Sequence, residues 1–410
     1  MARPGSGVLL TVEAPESTMS AFLTVLAIIF SVPYLVWRLA RTERHVPLFV
    51  VQILTGVLLG PALAGRLLPE AYATLFTGPV MQSLTGISTW AVAVFVWLAG
   101  VELDVRQAWA NRRECLVTAG LALAFPLVLG AFVAMLLALD SRWMGAKASG
   151  LQFVAGVGMA CAVTALPVLI LLLEKLEIFR TRLGQRLLAY ASLDDIAIWV
   201  VLALILMDLE RIGLQCAFLA GFAASSVGYR WLMRRLGPSD RWLVAVIWLV
   251  AAACAAEGFG LHFMIGAFLA GAVTNAEWFD ERRTTELRYG VLLLLMPVYF
   301  LVTGLRTEWG VDSATVLVAA GALLAAAVGG KLLGVWLAGR ILRWARGEAL
   351  VIGWMLQTKG LIMIVFASVL LDKGVISQET FTALLMMGLV STILTVPIVK
   401  PRLAGYPTWR

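Results

Sequence analysis

Residues 185–207 read QRLLAYASLDDIAIWVVLALILM. The run is apolar and long enough to cross a bilayer, which takes about 20 such residues. Asp194 and Asp195 nevertheless stand near its centre. A second apolar run, 313–341, carries Lys331 within Gly329-Gly330-Lys331-Leu332-Leu333. A charge at the bilayer centre costs about 2.5–3.5 kcal/mol on insertion scales, so three cost roughly 7–10 kcal/mol unless they face a cavity or one another. That is as large as the stability of a whole domain. The charges need partners or a task.

The rest of the chain fits a membrane setting. Of 410 residues, 61% are hydrophobic and only 14% charged, with a mean hydropathy of +0.91. Soluble domains carry nearer a quarter of charged residues, and disordered chains are polar and charge-rich. Both classes are excluded. Apolar windows predict thirteen spans at 20–40, 46–64, 84–101, 115–139, 150–173, 185–207, 212–231, 242–260, 262–276, 289–305, 313–341, 350–371 and 380–399. The runs are too long for barrel strands and do not alternate, so an all-α polytopic membrane protein is expected.

Of the 32 Lys and Arg, Lys331 and Lys359 lie inside spans. Seven more (Arg3, Arg66, Arg142, Lys147, Arg211, Arg306, Lys373) fall on one side, and the other 23 follow the odd-numbered spans. The positive-inside rule then puts the N-terminus outside and the C-terminus in the cytoplasm of a cell inner (plasma) membrane. The same asymmetry accounts for the net charge of +7 without nucleic acid. Met1–Met19 contains Glu13 and Glu16 and no basic leader, so it reads as an outer tail rather than a signal peptide.

Other chemistry is poorly provided for. Cys115, Cys161, Cys216 and Cys254 form no CxxC pair, and only His45 and His262 occur, which argues against a zinc or disulfide framework. Gly156-Val157-Gly158 starts like a dinucleotide fingerprint, but Cys161 replaces its third glycine. No Walker A pattern exists. No cofactor and no enzymatic activity are expected.

Two further spans look interrupted. Span 5 holds Thr164-Ala165-Leu166-Pro167, where the proline removes a helix hydrogen bond. Span 12 holds Gln357-Thr358-Lys359-Gly360. They lie seven spans apart, as do the small-residue stretches Thr55–Gly60 in span 2 and Ile265–Gly271 in span 9. An odd offset turns the second copy upside down. Two inverted repeats with crossed broken helices are the expected design, and the broken helices point to a midplane site. A buried Asp–Lys pair that only fixes packing explains one aspartate, not two. Adjacent helical residues point about 100° apart, so one carboxylate can face Lys331 while the other faces a water-filled cavity and binds an ion. Lys359 either neutralises the crossing helix ends or touches the ion pathway.

The ordered set of motifs resembles the monovalent cation:proton antiporter-2 family over about residues 20–400. Its carriers are His45-Val46-Pro47, Gly56–Pro61, Leu98–Asp104, Thr164–Val168, Asp194-Asp195, Gly266–Gly271, Thr303–Arg306, Lys331–Gly334 and Thr358–Leu361. The resemblance implies that Asp195 is the essential ion-binding carboxylate, that Asp194 pairs with Lys331, and that Thr164 is the polar residue of the first break. Asp194 and Asp195 would thus be the residues that hold the metal cation. It implies a core of residues 115–207 and 313–399 and a dimerisation scaffold of 20–104 and 242–305. Residues 212–231 would link the two; 1–19 and 400–410 would be tails.

The expected function is secondary antiport of Na⁺ or K⁺ against H⁺ by an elevator-like step in a homodimer, electrogenic because Asp-Asp members typically are. Partners would be the cations, protons and lipid. The chain ends near Arg410, so gating through a C-terminal nucleotide-binding domain is not expected from this chain. A cation channel or an organic-anion symporter on a related fold remains an alternative, although two midplane aspartates repel anions. Residue identity leaves the choice of Na⁺ or K⁺ open.

Overall fold

The computed structural model describes residues 16–40, 48–61, 63–101, 112–179, 181–206, 212–307 and 313–404. His45-Val46-Pro47, Glu102–Asp104, and most of both tails lie outside the described residues. The described residues form helices and no strands; an isolated bridge pairs Met144 with Ile376.

Helices occupy each expected span. They are α1 (Glu16–Leu39), α2 (Leu48–Leu59), α3 (Gly78–Val101), α4 (Arg112–Leu137), α5a (Gly150–Ala162), α5b (Leu166–Lys175) and α6 (Arg182–Ile205). The second half holds α7 (Ile212–Arg235), α8 (Pro238–Gly258), α9 (Phe263–Ala272), α10, α11 (Ser313–Leu342), α12a (Glu348–Met355), α12b (Gly360–Asp372) and α13 (Gln378–Ala404). α10 runs from Glu281 through a π-helical turn at Val291–Leu295 to Leu305. Among the described residues, nine helices are long and apolar enough to cross a membrane, fewer than the thirteen expected spans. The shortfall has local causes. Spans 5 and 12 are each split, α9 is ten residues long, and α7 is diluted by the small and polar run Gly221–Gly228. Hydropathy also misses polar helix: α10 starts eight residues before its apolar window, with Glu281-Arg282-Arg283.

The packing has the symmetry of an inverted repeat. α2 lies on α10 and α9 on α3, and swapping each helix for the one seven labels away, α2 with α9 and α10 with α3, exchanges these pairs. Both contacts are glycine on glycine. A Cβ on Gly56 would stand 3.0 Å from Gly304 Cα, and one on Gly271 would stand 2.9 Å from Gly100 Cα. Close backbone approach of this kind is how helices associate where no hydrophobic drive separates them from lipid. α4 packs along α11, its counterpart in the other half; a Cβ on Gly330 would stand 2.5 Å from Pro126 Cα. α1 packs on α2, α4 on α5a, and α11 on α13.

Candidate functional site

α5 breaks because its backbone changes region: Val163 caps α5a in an extended conformation (ψ 147°). Pro167 is the second residue of α5b, where a missing N–H costs nothing because first-turn N–H groups have no intrahelical acceptor. α12 breaks over Leu356–Lys359, and Gly360 resumes the helix from a left-handed φ of 38°. The two interruptions touch. Ala165 N donates to Thr358 O at 2.6 Å, and Thr164 Oγ1 lies 2.8 Å from Leu356 O.

Lys331 reaches this crossing from α11. Its ammonium has three acceptors: Ala162 O at 2.5 Å, Thr164 Oγ1 at 2.9 Å and Asp194 Oδ2 at 3.0 Å. Thr164 Oγ1 lies 2.6 Å from the same Asp194 oxygen. Every member is buried, Lys331 at 0% exposure and Asp194 at 2%. A buried ion pair survives only where good geometry and further hydrogen bonds offset desolvation, and here all three ammonium protons are placed. The expected Asp194–Lys331 pairing is therefore observed. Asp195, the next residue on α6, is fully buried.

The second break supplies the remaining expected residues. Gln357 Nε2 donates to Ala327 O at 3.0 Å, and Thr358 Oγ1 to Met355 O at 3.1 Å. Lys359 Nζ donates to Cys161 O at 2.5 Å and Val163 O at 3.3 Å. The described residues contain no cluster of three or more His, Cys, Asp or Glu suited to holding a resident metal ion.

Other polar groups near the core escaped the sequence reading. Arg186 binds Glu114 at 2.6 Å and Glu348 at 2.5 Å, and Tyr190 hydroxyl donates to Glu114 at 2.5 Å. This network joins α4, α6 and α12a. The spacing of Arg186, Tyr190 and Asp194, four residues apart on one helix, was the available signal. At the opposite ends of the helices, Arg306 pairs with Asp372 at 2.9 Å and Lys373 with Glu257 at 3.6 Å. His262 sits beside them in the α8–α9 turn.

Comparison with known proteins assigns the family. A family model described as "Sodium/hydrogen exchanger, transmembrane" matches residues 25–405. The chain belongs to this family.

Its relatives carry matching names. The Na(+)/H(+) antiporter NhaS4 of Synechocystis sp. is 29% identical over 401 residues, covering 93% of this chain and 97% of that protein. Cation/H(+) antiporter 20 of Arabidopsis thaliana is 27% identical, covering 86% of this chain and 45% of that one. K(+)/H(+) antiporter 1 of Saccharomyces cerevisiae is 26% identical over 86% of this chain and 43% of its own length. The chain thus spans nearly all of the cyanobacterial relative and less than half of the plant and yeast ones. The fold is similar to that of the sodium proton antiporter MjNhaP1 from Methanocaldococcus jannaschii, with a TM-score of 0.60, 14% identity, and coverage of 95% of this chain and 98% of that one. This exchanger-family chain is a multi-pass membrane transporter, not an enzyme.

Proposed function

We propose that the exchanger carries one monovalent cation, Na⁺ or K⁺, against protons, with Asp195 holding each in turn. The supporting observation is the Lys331–Asp194–Thr164 bridge at the contact of two broken helices, beside a second carboxylate that is fully buried. The burial of Asp195 supports a site that solvent reaches after a rearrangement, as in alternating access.

The core in this reading is α4–α6 with α11–α13, the scaffold is α1–α3 with α8–α10, and α7 links them. The separate packing of α4 with α11 and of α9 with α3 and α8 supports the division. The core moves against the scaffold in an elevator-like step, and the scaffold forms a homodimer. The loop arginines support an inner (plasma) membrane orientation with the N-terminus outside and the C-terminus cytoplasmic. The relatives' names cover both sodium and potassium, which is why both ions stay in the proposal.

The cycle is electrogenic in this reading. A cation arriving at Asp195 displaces its proton. If it also separates Asp194 from Lys331, the freed lysine sits in less favourable surroundings and releases a second proton.

Proteoliposomes with an internal pH dye test both statements. Na⁺ or K⁺ added outside should drive proton movement in the wild type and none in Asp195→Asn, because an amide can neither release a proton nor hold a bare cation. An imposed potential of about 100 mV should change the initial rate, since each net charge moved is worth about 2.3 kcal/mol. Near-normal exchange by Asp195→Asn overturns the site. Indifference to potential leaves one-for-one exchange.

A further inference from the structure

The two buried lysines at the crossing differ in their partners. Lys331 meets a carboxylate, a hydroxyl and a carbonyl. Lys359 is 0% exposed, yet among the described residues its hydrogen bonds go to the carbonyls of Cys161 and Val163 alone and it forms no ion pair. A buried charge without a counter-ion is costly unless fixed dipoles replace water. Here they do. Cys161 lies in the last turn of α5a and Val163 is its cap, so the ammonium sits at the negative end of a helix, on carbonyls that have no helical donor.

In broken-helix transporters, the C-terminal ends of half-helices and unwound carbonyls are where transported cations bind. We infer that Lys359 is a tethered cation: its ammonium fills a carbonyl-lined second cation position at the end of α5a and so confines the exchanger to a single mobile cation at Asp195. Formal charge supports the assignment. Asp194, Asp195, Lys331 and Lys359 together are neutral, and removal of Lys359 leaves one negative charge in excess, with two carbonyl oxygens facing the gap. A mobile cation is the species that satisfies both.

The inference rests on the reading of Asp195 as the cation site, so the test separates the two. Equilibrium binding of ²²Na⁺, and of ⁸⁶Rb⁺ in place of K⁺, is measured on the purified full chain. Wild type should bind about one cation and Asp195→Asn none. Lys359→Met should bind one more than wild type, and Asp195→Asn with Lys359→Met should regain the cation that Asp195→Asn alone has lost. Lys359→Arg keeps the tethered charge and should bind as wild type does. Thermal melting keeps the test open for an unstable variant. Lys359→Met should melt well below wild type in choline chloride and recover in sodium or potassium chloride, a dependence that simple loss of packing would not produce. A Lys359→Met chain that binds no additional cation, or that melts equally low in all three salts, overturns the tethered cation. Binding retained by Asp195→Asn alone instead overturns the parent reading.

Discussion

α5 and α12 break at corresponding positions of the two halves, but only the α12 break brings a cation of its own to the place where they meet. The break in α5 presents acceptors: Cys161 O, Ala162 O and Val163 O, with the Thr164 hydroxyl. The break in α12 presents the Lys359 ammonium, beside the Thr358 carbonyl that accepts from Ala165 N and the Leu356 carbonyl that lies against the Thr164 hydroxyl. Two identical breaks related by an inverted repeat would set carbonyls against carbonyls. The second break instead complements the first, with Lys331 of α11 adding another cation beside the same acceptors. Repeat symmetry therefore accounts for where the backbones meet, and its local failure accounts for why the meeting is stable.

The largest expected effect follows from taking a cation away from the α5 break. Lys331→Gln leaves Asp194, 2% exposed, without its counter-ion in a place water does not reach. Breaking a buried pair from one side costs about 3–5 kcal/mol, which unfolding of the purified protein would read as a large fall in melting temperature. Asp194→Asn combined with Lys331→Gln should recover much of the loss, because no uncompensated charge remains. A single variant that melts as wild type does would mean that the α5 acceptors need no cation, and the contrast between the two breaks would disappear.

How much of this was legible in the sequence depends on the length scale of each feature. Asp194, Asp195 and Lys331 stand out because one residue in an apolar run is visible without knowing its neighbours. Pro167 and the Gln357–Gly360 tetrad are legible for the same reason, and their separation of seven spans gives the repeat. The site's joints are not. Whether Lys331 meets Asp194 or Asp195 depends on the rotation of α6 and α11 about their axes, which spacing does not fix. Nor does spacing fix the full burial of Asp195. The Glu114–Arg186–Glu348 network was missed because its members sit at span ends, where charges are read as topology signals. α10 shows the same limit, since its charged first turns are helical but invisible to hydropathy.

A smaller effect tests whether the two breaks are held open differently. Gly360 has a φ of 38°, and a Cβ there would lie 2.4 Å from Val168 Cγ2 on α5b. Gly360→Ala therefore meets two penalties at the touching point of the breaks. The left-handed backbone costs a side chain about 1–2 kcal/mol, and crowding of Val168 adds about 1–3 kcal/mol. Pro167 acts otherwise. It occupies a first-turn position whose N–H has no helical acceptor, so Pro167→Ala returns only unfolded-state freedom, about 0.4–1 kcal/mol. Melting should fall by several-fold more for Gly360→Ala than for Pro167→Ala. Val168→Ala should relieve part of the glycine variant's loss and none of the proline variant's. Equal losses at the two positions, or a double variant no better than Gly360→Ala alone, would show that the α12 break is not pinned against α5b at Gly360. The α12 interruption would then follow from its polar tetrad, and the two halves would be more alike than their chemistry suggests.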